Sequence, residues 1–157
     1  MSARLIIICG LPGAGKSTHA RSLERSSSAI RFNPDEWMDA LGINLWDEVT
    51  RAKVESLQWT LAQRLLELGQ TVLIEWGTWG RSERDALRER AAALGSKVEL
   101  HYVTAPIDVL FDRVTVRELE DPPMTREQLE QYSQTLQEPT EAEGKLYDNF
   151  LTIKSNE

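Results

Sequence analysis

The chain has 157 residues, 41% of them apolar, a formal net charge of −7 and a single cysteine. That length predicts one domain with a substantial core, and the acidic balance argues against a broad nucleic-acid or anionic-membrane surface. Lone Cys9 excludes an internal disulfide framework, fits a reducing, cytoplasmic setting and reads as a small buried hydrophobe.

Met-Ser-Ala-Arg leads into an apolar run of five residues, Leu5 to Cys9, too short for a leader or a membrane span and suited to a buried parallel strand. Five strands are expected, over 4–9, 29–32, 71–75, 98–103 and 149–153, with helices between them. Ser17 to Arg25 predicts the first helix, and a short one is expected near 34–41, closed by Gly42. A long helix is expected over about 46–68, with Val54, Leu57, Leu61, Leu65 and Leu68 as its core-facing stripe and Gly69 after its end. Another should run near 81–94, with Ser82 as N-cap and Gly95 following. A helix after Pro106 reaches about Leu119, Pro122-Pro123 breaks the chain, and Thr125 with Gln128 three residues on forms a capping-box pattern. Such alternation predicts a parallel sheet with helices on both faces. His19 and His101 share no metal-ligand spacing with other donors and read as structural.

Gly10-Leu11-Pro12-Gly13-Ala14-Gly15-Lys16-Ser17-Thr18 fits G-x-x-x-x-G-K-[ST] between the first strand and the first helix. In that setting successive backbone N–H groups turn inward around a triphosphate. Lys16 supplies a point charge to the β/γ-phosphates, and the Ser17 hydroxyl suits Mg²⁺.

Ligands in such sheets gather at the carboxyl ends of the strands. Asn33-Pro34-Asp35-Glu36-Trp37 follows the second strand. Asp35 is either a general base or a first-turn helix acid, and Glu36 is a weaker candidate for the base. Glu75 ends the apolar run Val72-Leu73-Ile74, where an unpartnered acid would be costly; it can position the metal or contact an acceptor. Trp37, Trp76 and Trp79 can wall an acceptor pocket, or belong to the core. Arg81 and Arg84, at a helix start that disfavours cations, suggest an anionic partner or pairing with Glu83 and Asp85. Arg113 and Arg117 lie four apart on one helix face, suited to a triphosphate clamp or to pairing with Asp112, Glu118 and Asp121. Arg126 is the alternative clamp.

These segments together resemble the small predicted P-loop kinases related to zeta toxins, chloramphenicol phosphotransferase and the kinase domain of polynucleotide kinase. The resemblance spans nearly the whole chain, including Glu138-Pro139-Thr140-Glu141-Ala142-Glu143. It implies an α/β three-layer sandwich with a five-stranded parallel sheet of order 2-3-1-4-5. It also implies a single domain over 1–157 with a short lid near 113–127, Asp35 as base, and Arg113 and Arg117 as lid arginines. The expected activity is transfer of the γ-phosphoryl group of ATP, with Mg²⁺, to a hydroxyl of a small molecule. A nucleic-acid 5′-hydroxyl kinase, and an ATP-binding or ATP-hydrolysing protein without an acceptor, are the alternatives. No Asn-Lys-x-Asp guanine signature is present. No protein partner and no membrane association are implied.

Overall fold

A computed structural model describes residues 3–155. In chain order the elements are β1 (Arg4–Cys9), α1 (Lys16–Ser27), β2 (Ile30–Phe32), α2 (Pro34–Ala40), α3 (Glu48–Glu67), β3 (Val72–Gly77), α4 (Arg81–Ala93), β4 (Lys97–Thr104), α5 (Ile107–Arg117), α6 (Arg126–Thr135), α7 (Glu141–Gly144) and β5 (Asn149–Lys154). The five strands form one sheet of order β2-β3-β1-β4-β5, parallel throughout.

Alternation along β1 divides the core between the two faces of the sheet. Leu5, Ile7 and Cys9 join Phe32, Ala62, Leu66, Ile74 and Leu100 on the face covered by α3 and α4. Ile6 and Ile8 join Ala20, Leu73, Leu110, Val114 and Leu129 on the face covered by α1, α5 and α6. Both β1 and β3 are buried on both sides, which fixes the carboxyl ends of two adjacent strands at the centre of the sheet.

Helix α3 departs from the expected stripe. Its buried residues are Val54, Gln58, Ala62 and Leu66, whereas Leu57, Leu61 and Leu68 are exposed. Two features favour this rotation. Ala62 lets the helix approach the sheet closely, and the Gln58 side chain, 0% exposed, accepts a 2.8 Å bond from the Trp76 indole. A leucine there would leave the indole N–H unpaired, whereas with Gln58 the unpaired group is the amide Nε2.

Helix α4 also starts differently. Gly80 occupies the N-cap position in place of Ser82, without a side-chain cap. The Arg81 N–H instead donates to Gln137 Oε1 at 2.6 Å, a cap supplied from a distant segment. The Thr125–Gln128 capping box forms as expected, and Gly42, Gly69 and Gly95 all take positive φ just beyond their helices.

Candidate active site

The loop Gly10–Thr18 joins β1 to α1 at the centre of the sheet. Gly13 and Gly15 sit at φ 82° and 105°. A Cβ on Gly10 would lie 2.5 Å from the Val103 carbonyl oxygen, and one on Gly13 would lie 2.6 Å from that of Leu110. Both positions therefore require glycine for packing, and Gly13 also for its positive φ. Helix α1 starts immediately after, without a side-chain cap, so its first N–H groups face an anion site. Lys16 Nζ donates to the carbonyls of Gly10 and Leu11 at 2.8 and 2.9 Å. Burial of the ammonium is the main effect that pushes its pKa down to about 8, an imbalance that bound phosphates would reverse.

Ser17 Oγ donates to Glu75 Oε1. Glu75 also accepts from Arg31 Nε at 2.6 Å and from Asn33 Nδ2 at 3.1 Å, so the acid at the end of β3 is fully partnered. A hydroxyl and a carboxylate side by side at the foot of a phosphate loop suit Mg²⁺. That ion takes one or two protein oxygens and completes its octahedron with phosphate oxygens and water. Among the described residues no cluster of three or more His, Cys, Asp or Glu could hold a metal without a phosphate ligand.

Asp35 stands in the first turn of α2, behind the Asn33 N-cap. Its Oδ1 lies 2.6 Å from Arg51 Nη1 of α3, and Asp35 lines the same cleft as Lys16, Ser17 and Glu75. Glu36 also lines the cleft, but it is paired with Arg31 at 2.9 Å and with Arg21 at 3.4 Å.

Both clamp candidates line the cleft. Arg113 donates to the Gly13 carbonyl at 3.0 Å and to Ser155 Oγ at 2.8 Å, which fastens α5 to the phosphate loop. Arg117 pairs with Glu120 at 2.8 Å. Arg126 pairs with Asp108 and Glu130 and is not among the residues that line the cleft. Residues after Arg117 cross toward α3: Trp46 Nε1 donates to the Pro122 carbonyl at 2.7 Å, and Asn44 Nδ2 donates to that of Asp121 at 3.2 Å.

The remaining expected acceptor contacts divide. Trp76 and Trp79 line the cleft. The Trp79 indole donates to the Gly10 carbonyl at 3.1 Å, and its ring lies 4.9 Å from that of Tyr132. Trp37 instead packs edge-on against Phe32, because the first turn of α2 directs it onto the core. Arg81 pairs with Asp85 at 3.0 Å. Arg84 is corrected most fully: it is 0% exposed and makes a two-pronged pair with buried Glu143, Nε–Oε2 2.7 Å and Nη2–Oε1 2.8 Å. Its remaining donors reach the carbonyls of Thr78 at 2.7 Å, Trp79 at 3.2 Å and Gln137 at 2.7 Å. Its role is to hold the loop after β3 in place, not to meet a ligand.

The cleft has a volume of about 770 Å³. Arg31, Trp46, Arg51, Glu55 and Tyr132 are site residues that no motif marks; Asn33 is marked only as a member of the segment after the second strand, and Glu83 only as a pairing partner. Arg31 carried a signal, as a charged residue inside a short expected strand; Glu55 and Glu83 carried none, since helical spacing does not report which helix acids face a cleft.

A phosphate loop between the central strand and its helix, in a parallel sheet of order 2-3-1-4-5, defines the P-loop NTPase fold. The chain belongs to the AAA domain family, whose model matches residues 5–139. No curated protein matches it in sequence. Several solved structures are similar. A gluconokinase from Sinorhizobium meliloti has a TM-score of 0.62 at 20% identity, covering 99% of this chain and 82% of that one. Kti12 from Chaetomium thermophilum in complex with ADP-AlF3 has a TM-score of 0.69 at 20% identity, with coverage of 95% and 88%. The Mycobacterium tuberculosis APS kinase CysC in complex with AMPPNP and APS has a TM-score of 0.62 at 19% identity, with coverage of 96% and 88%. At these identities the likeness is one of fold.

Proposed function

We propose that this protein is a kinase that transfers the γ-phosphoryl group of ATP to a hydroxyl of a small molecule. The observation that carries the proposal is the convergence on one cleft of the phosphate loop, the Ser17–Glu75 pair and the Asp35–Arg51 pair. The kinases among the similar structures support the reaction class.

The loop N–H groups and Lys16 hold the β- and γ-phosphates, and Arg113 and Arg117 approach them from α5. Ser17 and Glu75 would hold Mg²⁺, which supplies neutralisation of charge between the β- and γ-phosphate oxygens. Asp35 accepts the acceptor's hydroxyl proton as the acceptor oxygen bonds to the γ-phosphorus and the bond from phosphorus to the ADP oxygen breaks. Arg51 pairs with Asp35 and orients it at the cleft. The stretch 113–127, tied to Asn44 and Trp46, acts as the lid of a single catalytic domain. A chain of the Pnkp1/Rnl/Hen1 RNA repair complex is also similar in fold. The many carboxylates that line this cleft favour a small acceptor over a nucleic-acid end.

Titration calorimetry with Mg²⁺ and ATP tests the donor half. Wild-type protein should bind with one site, and Lys16→Ala should weaken binding by at least about tenfold. Equal binding by the two proteins would remove the phosphate-loop assignment.

A further inference from the structure

The acceptor half of the cleft has an unusual charge balance. Its walls come from the start of α3 (Trp46, Glu48, Arg51, Glu55) and from the loop after β3 with the first turn of α4 (Trp76, Thr78, Trp79, Glu83), and Tyr132 of α6 faces it. Its one cation from these elements, Arg51, is already paired with Asp35. Among the described residues Glu48, Glu55 and Glu83 have no ion-pair partner and no side-chain hydrogen bond. Glu55 and Glu83, from opposite walls, repel each other within the cleft, and burial together with that repulsion pushes the Glu55 pKa up to about 7. Burial likewise raises that of Glu83.

A separate observation marks the same space as a ligand site. Thr78 lines the cleft, is 2% exposed, and its hydroxyl has no hydrogen-bond partner. A buried hydroxyl left unpaired costs free energy that a polar ligand recovers. Its backbone, at φ 48°, is fixed by the bond from Arg84 to its carbonyl. Two carboxylates without an ion-pair partner, in a cleft also lined by indoles and a phenol, form an environment that recognises a cation. An anionic acceptor would meet repulsion there, and a neutral polyol would hydrogen-bond the two acids without offsetting their mutual repulsion.

Resting on the kinase reading above, we infer that the acceptor is a hydroxylated compound carrying a protonated amine, such as an amino sugar or amino alcohol. Its ammonium is held by Glu55 and Glu83 among Trp46, Trp76 and Trp79, and its hydroxyl is presented to Asp35. The transfer is balanced as before: the acceptor oxygen gains the phosphoryl group, ADP leaves, and the hydroxyl proton passes to Asp35. The ammonium takes no covalent part.

The test uses the full-length protein with Mg²⁺ and ATP and several matched triplets of acceptors. Each triplet holds an amine-bearing polyol, its N-acetylated twin and its carboxylate twin. ADP release and the phosphorylated product are measured together. Turnover should fall on the free amines, with kcat/KM lower by at least about tenfold for the acetylated twin. Glu55→Gln and Glu83→Gln should raise KM for the amine while leaving kcat and ATP binding near wild type. Preference for neutral or carboxylate members, or unchanged amine KM in both variants, would overturn the inference and leave the kinase reading standing. No phosphorylated product from any triplet, with ATP bound, would count against both.

Discussion

Arg51 Nη1 lies 2.6 Å from Asp35 Oδ1, joining the third helix to the first turn of the second at the mouth of the cleft. Arg51 also donates to the Leu45 carbonyl at 2.9 Å, so the guanidinium is fixed before it orients the carboxylate. Asp35→Asn should lower kcat by about 10²- to 10⁴-fold, the range of general-base removal, with ATP affinity unchanged. Arg51→Gln should lower kcat less, because Asp35 keeps its carboxylate but loses the partner that orients it. An Arg51→Gln enzyme with wild-type kcat would remove this coupling.

Arg84 of α4 and Glu143 of α7 form a buried pair, and Arg84 also holds the loop after β3 through the carbonyls of Thr78 and Trp79. Removing one partner leaves an uncompensated buried charge, so Arg84→Leu should destabilise by about 3–5 kcal/mol in urea unfolding. Arg84→Lys should not rescue, since an ammonium cannot reproduce the two-pronged geometry or reach three carbonyls. Full stability of Arg84→Lys would show that charge alone suffices.

That pair also marks the limit of what could be read from the chain. The phosphate loop, the five strands and the positions of Asp35, Glu75, Arg113 and Arg117 on one rim were legible, because each follows from a motif or from strand order. Arg84 was not, since its partner lies 59 residues away and helical spacing reports only neighbours on the same helix. Trp37 likewise could not be separated from Trp76 and Trp79. All three follow strands, and only packing decides that Trp37 turns to Phe32.

Helix α3 offers a packing test. Its apolar spacing selected Leu57 and Leu61, yet the sheet receives Ala62 and Leu66. Leu57→Gln should change stability by less than about 0.5 kcal/mol. Leu66→Ala should cost about 2–5 kcal/mol, and Ala62→Leu about 1–3 kcal/mol through overpacking. Chemical denaturation of the three variants distinguishes this orientation from the one that the leucine spacing predicts.

A pair of ring nitrogens makes folding sensitive to acid. His19 Nε2 and His101 Nδ1 are 2.8 Å apart, and His101 Nε2 meets Glu99 at 3.1 Å. Burial lowers the pKa of both rings below 6.5, with the neighbouring His101 a further cause for His19. The unfolded chain therefore binds more protons across that window. The stability contributed by the neutral pair is present above about pH 6.5 and is lost as pH falls toward the folded values. Thermal unfolding should show Tm declining below pH 6.5, with a shallower decline in His19→Gln. An identical slope in that variant would assign the acid loss to other groups.

The central claim is that the cleft moves a phosphoryl group and does not merely bind nucleotide. The most direct measurement incubates γ-labelled ATP and Mg²⁺ with a mixture of hydroxylated metabolites and follows the label by mass spectrometry, for wild type and Asp35→Asn. A new phosphate ester formed by wild type, and absent with an Asp35→Asn protein that still binds ATP, is the predicted result. Label released only as inorganic phosphate, or equal ester formation by both proteins, would contradict it.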